Sequence, residues 1–258
     1  MLTSAKQMRG YDIAATDGEL GKATDLLFDD VSWTLRYIVV DTGGWLADRL
    51  VLISPVSVES LDHADTSIHV NLTREQVENS PRAETDQPVS RQFEAEYYRY
   101  QGWMPYWGRA GLWGPGMTPA ALTYPIPEPE DEASDDESER EERADPNLRS
   151  TDEVSRYEIH AHDGDIGHAS DVLFDDESWE VRYLIIDTRN WLPGKHVAIR
   201  PRWVREFRWE EAKIYVDVSR DAIKSAPAYD GLESLDEAAQ QHLAEHYGRE
   251  TDAAHRSA

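Results

Sequence analysis

The 258-residue chain has no cysteine. That excludes a disulfide framework, a thiolate nucleophile, a cysteine-ligated zinc and an iron–sulfur cluster. Long apolar runs are missing as well, and none approaches the roughly 20 residues that a bilayer-spanning helix needs. The opening Met1–Lys6 lacks the apolar core of a signal peptide. Positive charge is in short supply: 26 basic residues, only 5 of them lysine, stand against 51 acids, for a net charge of −25. Such a chain is repelled by phosphates and by anionic lipid, so neither nucleic acid nor a membrane surface is an expected partner. There is no Gly-rich phosphate loop, no Gly-x-Ser-x-Gly elbow and no spacing that suggests a catalytic triad. These absences predict a soluble, non-enzymatic protein without a cofactor.

The charge is unevenly placed. Residues 128–145 hold 11 acids and 2 bases, a net of −9, which leaves −16 for the rest of the chain. A run without apolar periodicity or aromatics cannot bury enough surface to offset the entropy of ordering it. Residues 128–149 are therefore expected to be a disordered, self-repelling linker, with an acidic arm for a basic partner as the sharper alternative. Scarce lysine on an acidic background also suits a salt-rich setting, where repulsion is screened.

The chain repeats itself. Residues 11–58 align without a gap on 157–204, at an offset of 146, and half of the positions are identical. Asp17-Gly18 matches Asp163-Gly164, Leu27-Phe28-Asp29-Asp30 matches Leu173-Phe174-Asp175-Asp176, and Ser32-Trp33 matches Ser178-Trp179. Arg36-Tyr37 to Asp41-Thr42 matches Arg182-Tyr183 to Asp187-Thr188, Trp45-Leu46 matches Trp191-Leu192, and Pro55 matches Pro201. Two copies of one domain follow, over 1–82 and 150–228, with a helix and aromatic loop over 83–127, the linker over 128–149, and a C-terminal helix and tail over 229–258.

Each copy reads as short strands between Asp-rich and Gly-bearing turns, then a helical turn with a capping box at Thr73 and Gln76. The fold class predicted is mainly β, two small barrels in tandem. Tyr37 and Val39 alternate with Ile38 and Val40, so both faces of that strand are apolar. Ile38, Val40, Leu184 and Ile186 are the candidates for packing one barrel on the other, an intramolecular pair. Beyond copy one, Phe93, Tyr97 and Tyr100 fall on one face of a helix over 90–101. Ser234 and Glu237 form a second capping box, ahead of a helix lined by Leu235, Ala239, Leu243 and His246. Residues 102–125 are punctuated by Gly and Pro and rich in rings. Trp103, Tyr106, Trp107 and Trp113 either pack on the barrel or form a surface for a protein partner.

The Asp-x-x-Gly-like turn, the Leu-Leu-Phe-Asp-Asp strand end, Arg36 to Leu46, Pro55, and the Thr73–Pro81 helix ending in Ser-Pro resemble the PRC-barrel family. The resemblance covers residues 4–81 and 150–227. The family is named for the cytoplasmic barrel of the photosynthetic reaction centre H subunit, and it also supplies a domain of a bacterial ribosome-maturation factor. The resemblance therefore implies a scaffold or interaction module, in the cytoplasm or peripheral at the inner face of the plasma membrane. It implies an association with a reaction centre or another electron-transfer complex, and the alternative is an accessory role in RNA or ribosome maturation. The H subunit begins with a membrane-spanning helix that this chain lacks. Asp41 and Asp187 read as strand-end turn residues, so no proton-relay role is carried over to them.

Two other constellations bear on chemistry. His160, His162 and His168 surround the first turn of copy two, and the first two of them share a strand face at a spacing that can chelate a metal. Copy one has Ala14, Thr16 and Lys22 at these positions, so the fold does not need them. A metal-responsive or stress-related binding protein is the reading they would carry, and no metal is expected. The Asp29-Asp30 and Asp175-Asp176 pairs are expected to cap turns, since adjacency does not hold two carboxylates across a cleft.

Overall fold

The computed structural model describes residues 1–46, 49–81, 89, 91–107, 111–114, 116–123, 148–188 and 195–255. In chain order the elements are β1 (Leu2–Ser4), α1 (Ala5–Met8), β2 (Asp12–Ala15), β3 (Gly18–Asp29), β4 (Thr34–Asp41), β5 (Leu50–Ile53), β6 (Val58–Asp62), β7 (Ser67–Val70), α2 (Arg74–Glu78) and α3 (Arg91–Gln101). There follow β8 (Leu148–Ser150), α4 (Thr151–Val154), β9 (Glu158–Ala161), β10 (Gly164–Asp175), β11 (Val181–Asp187), β12 (His196–Ile199), β13 (Val204–Arg208), β14 (Lys213–Val216), α5 (Arg220–Ser225) and α6 (Glu237–His255). No helix among the described residues is long and apolar enough to cross a membrane.

The chain forms two compact units. One holds Gln7–Ser150 with Asp176–Glu180; the other holds Met1–Lys6, Thr151–Asp175 and Val181–Ala258. Each is built on a seven-stranded sheet, ordered β5-β4-β3-β2-β7-β6 in the first and β12-β11-β10-β9-β14-β13 in the second. Neighbouring strands run antiparallel except β2 with β7 and β9 with β14, which are parallel. Among the described residues no ladder joins the two end strands of either sheet, so hydrogen bonding leaves both open where closed barrels were expected.

The seventh strand of each sheet is exchanged. β8 lies ahead of the second repeat in sequence but pairs with β3, Phe28 opposite Arg149. β1 lies ahead of the first repeat but pairs with β10, Thr3 opposite Phe174. The side chains repeat the pattern: the Ser150 hydroxyl donates to Asp25, and the Ser4 hydroxyl donates to Asp171 at 2.5 Å. Burial raises the Asp171 carboxyl above its ordinary value despite donors from Ser4, Lys6 and Val172. The compact units therefore differ from the contiguous copies expected over 1–82 and 150–228. Three-residue strands carry no turn signal or periodicity of their own, so the sequence pattern does not betray them.

Register follows the repeat closely. The β3–β4 ladder shifts between Ala23 and Asp25 and between Leu27 and Phe28; the β10–β11 ladder shifts at Ala169/Asp171 and Leu173/Phe174. Gly21 and Gly167 have φ of +143° and +151°, and a Cβ would stand 1.9 Å from the Asp41 carbonyl oxygen and 2.1 Å from that of Asp187. Only glycine fits such an approach. Asp29 caps the following turn, accepting from the Val31 and Ser32 N–H groups at 2.9 and 2.7 Å. That turn ends on Trp33 at φ +52°, and its counterpart on Trp179 at +60°.

The capping box at α2 is formed by Thr73 and Gln76 as the sequence predicts. At α6 the cap is Asp236, which accepts from the Ala239 N–H at 2.8 Å. Ser234 instead closes a 3-10 turn by donating to the Gly231 carbonyl, so the predicted Ser234–Glu237 box is not made. Leu235, just ahead of α6, and Leu243 on it are buried, along with Tyr247, whose ring lies 4.5 Å from that of Trp203. The linker expected over 128–149 falls outside the described residues except at Leu148 and Arg149, which are strand; Trp191 and Leu192 also fall outside them.

Candidate functional site

The unit built on the first repeat carries the candidate site. α3 lies against the sheet, and its buried face is Glu94, Tyr97 and Tyr98, not the predicted Phe93, Tyr97 and Tyr100. Tyr100 is exposed and donates to the Gln76 carbonyl at 3.1 Å. The reason for the rotation is a carboxylate that pattern reading counts as polar. Glu94 is fully buried and accepts from the Tyr37 hydroxyl at 2.8 Å and the Tyr106 hydroxyl at 2.7 Å. A buried carboxylate is tolerated when donors replace its hydration. Burial first, and the Glu94 charge next, push the Tyr37 phenol well above its ordinary value; burial does the same to Tyr97 and Tyr98.

Tyr37 meets Tyr97 edge to face at 6.0 Å. The second apolar face of β4 is thus covered by α3 within the unit. Ile38 and Val40 are fully buried on β4, opposite Ile53 and Val51 of β5; Leu184 and Ile186 are equally buried on β11, opposite Ile199 and Val197 of β12.

The aromatic segment after α3 closes around a cation. Arg36 is buried and stacks over the rings of Tyr106 at 3.8 Å and Trp113 at 4.6 Å. It donates to the Leu112 carbonyl and to the Ser32 hydroxyl at 3.0 Å. Trp113 has no exposed surface, and its indole N–H donates to the Ser178 carbonyl at 2.8 Å. Tyr106 and Trp113 therefore cannot present a partner surface. Their hydroxyl and indole groups donate inside the unit, to Glu94 and Ser178. Trp103 and Trp107 are half-buried and stack edge to face on Tyr98 at 5.9 and 5.5 Å.

Beside this cluster runs an open groove of about 480 Å³. Its walls are the 3-10 turn Pro55–Ser57, strand β6, a second 3-10 turn at Pro119–Thr123, and the turn carrying Asp176, Glu177 and Trp179. Val58, Glu59, Ser60 and Leu61 all line it. Successive strand residues point to opposite faces, so a groove touched by four in a row runs along the strand's edge, not over one face. β6 is an end strand that pairs only with β7 among the described residues. Asp176 is held by His63 at 3.4 Å, and the other ring nitrogen of His63 lies 3.2 Å from the Tyr11 hydroxyl.

The three predicted histidines His160, His162 and His168 each have a different partner. His160 lies 2.7 Å from Asp165 across the β9–β10 hairpin, and this hydrogen bond chiefly lowers the Asp165 carboxyl. His168 faces the buried carboxylate of Asp187 at 3.8 Å, and His196, which sequence reading passed over, faces it at 3.5 Å from β12. His162 lies beyond the end of β9 and donates its backbone N–H to the Val218 carbonyl. No group of three or more His, Asp or Glu among the described residues is arranged to hold a metal.

Comparison with known families bears on the strands that build the groove. The family model described as PRC-barrel domain matches residues 3–77. These residues are a PRC-barrel domain. The match starts within β1 and ends within α2. The PRC-barrel sequence unit therefore includes a strand, β1, whose ladder is made with β10. It contains β6 and the Pro55–Ser57 turn, whereas the Pro119–Thr123 turn that completes the groove lies outside it. No curated protein matches the chain.

Proposed function

We propose that this chain is a non-catalytic interaction module, a tandem of two PRC-type units that binds a protein partner at the groove beside β6. One observation carries the reading: an end strand whose outer edge makes no ladder among the described residues lies along a groove of about 480 Å³. An exposed edge offers a row of backbone donors and acceptors, and proteins use such edges to recruit a strand from a partner. The second sheet, with the same strand order and the same register shifts, supports the tandem. The strongly shifted phenols of the first-repeat unit sit in its core beside Glu94 and serve packing. A peripheral contact with an electron-transfer complex, which the family resemblance implies, is one instance of this reading.

The test is a photo-cross-linking residue placed at Ser60 of the full chain in lysate of the source cells. A discrete protein adduct is expected, absent when the same residue replaces Glu210 and lost when Ala120→Trp fills the groove. Identical adducts from both positions, or none from Ser60, would contradict the reading.

A further inference from the structure

The groove has a chemical preference as well as an edge. Its floor and walls include Pro55, Val56, Pro119 and Trp179, while Glu59, Asp176 and Glu177 supply three carboxylates. None of the residues lining it is Lys, Arg or His. Glu59 and Glu177 are exposed, whereas Asp176 is part-buried and turned to His63. The repeat supplies an internal comparison. At the offset of 146, Glu59 corresponds to Arg205 and Asp62 to Arg208, so the equivalent edge strand β13 carries bases where β6 carries acids. The fold does not demand carboxylates along this edge; the first repeat has placed them there.

Resting on the interaction reading above, we infer that the partner segment is an extended, basic peptide that adds as a strand to the open edge of β6. Its backbone pairs with residues 58–62. Alternate side chains then fall on the groove side, where aliphatic parts lie on Pro119 and Trp179 and cationic ends meet Glu59 and Glu177. Lysine and arginine suit both demands, because their stems cover apolar surface while their heads reach carboxylates. Charge of opposite sign on the two partners speeds encounter and fixes register, and like charge rejects acidic segments.

The probe is a short fluorescent peptide of alternating arginine and valine, titrated into the full chain by anisotropy. Two comparison peptides accompany it. One carries glutamate for arginine. The other carries proline for alternate valines, which keeps the charge but removes backbone donors. The variant Glu59→Lys/Glu177→Lys is compared with Glu210→Lys/Glu233→Lys, which makes the same change in net charge on exposed residues of the other unit. Binding of the arginine peptide is expected to weaken more than about tenfold in the groove variant and in the proline peptide, and little in the control variant. Equal weakening in both variants would mean attraction by overall charge and would overturn the inference. So would undiminished binding of the proline peptide, or comparable binding of the glutamate peptide. If sedimentation shows that the groove variant alters self-association of the peptide-free chain, the occupant is a second copy, which also overturns it. Should the groove variant melt early, amide exchange on the unaltered chain decides. Slowing at residues 58–62 with the arginine peptide supports strand addition, and slowing elsewhere or nowhere refutes it. If the Ser60 adduct forms but the arginine peptide does not bind, the interaction reading stands and the basic segment falls.

Discussion

Glu94 shows how single residues set this structure. A carboxylate with no exposure is held by two phenols, and the helix that carries it turns its tyrosines inward to reach them. The consequence is measurable in base. Phenols in the unfolded chain ionise from about pH 10. Tyr37, Tyr97, Tyr98 and Tyr247 are all raised in the fold, chiefly by burial, so the native state keeps protons that the unfolded state loses. Stability should be insensitive to these groups below that pH and should fall as pH rises through it. Phenolate absorbance should then appear together with loss of the far-ultraviolet signal; gradual ionisation of a folded chain would contradict this. The paired glycines give a second prediction at this scale. Gly21→Ala and Gly167→Ala force a Cβ onto a carbonyl at positive φ, and each should cost more than about 1 kcal/mol in urea unfolding. Both glycines recur at the offset of 146, but the carbonyl that each one faces belongs to the neighbouring strand and is not visible in the sequence. Glu94 was not legible, because a periodicity argument scores a carboxylate as solvent-facing until its donors are known.

Among the elements, the exchanged strands have the most testable consequence. β1 precedes the first repeat yet completes the sheet of the second. Deleting residues 1–6 should therefore speed amide exchange along β10, at Leu173–Asp175, and leave β3 protected. Loss of protection in β3 instead would contradict the assignment. The internal repeat made two copies of the same series of short strands readable, because turns and β-branched runs carry local signals; the strand order and the matching register shifts emerge only in the fold. The repeat could not show where β1 and β8 pair. A three-residue strand has no pattern, and pairing across more than a hundred residues is decided by the finished sheet. The helix caps divide the same way. Thr73 and Gln76 were local and legible, while Asp236 took the cap from Ser234 because a 3-10 turn intervenes.

For the whole molecule, charge is the dominant quantity. With −25 spread over 258 residues, self-repulsion opposes the compact state, and screening should relieve it. Melting temperature should rise from low to molar salt; no change would remove the argument for a salt-adapted surface. The same charge argued in sequence against nucleic acid and an anionic membrane surface. It could not locate the site, because the groove draws on three segments separated in the chain, 55–61, 118–123 and 176–179, brought together only by folding. The central claim is that this assembled edge recruits a partner strand. The most direct measurement is backbone amide exchange of the full chain with and without the arginine–valine peptide at saturation. Selective slowing across Val58–Asp62 is the predicted result. Unchanged exchange there, with the peptide demonstrably bound, would contradict it.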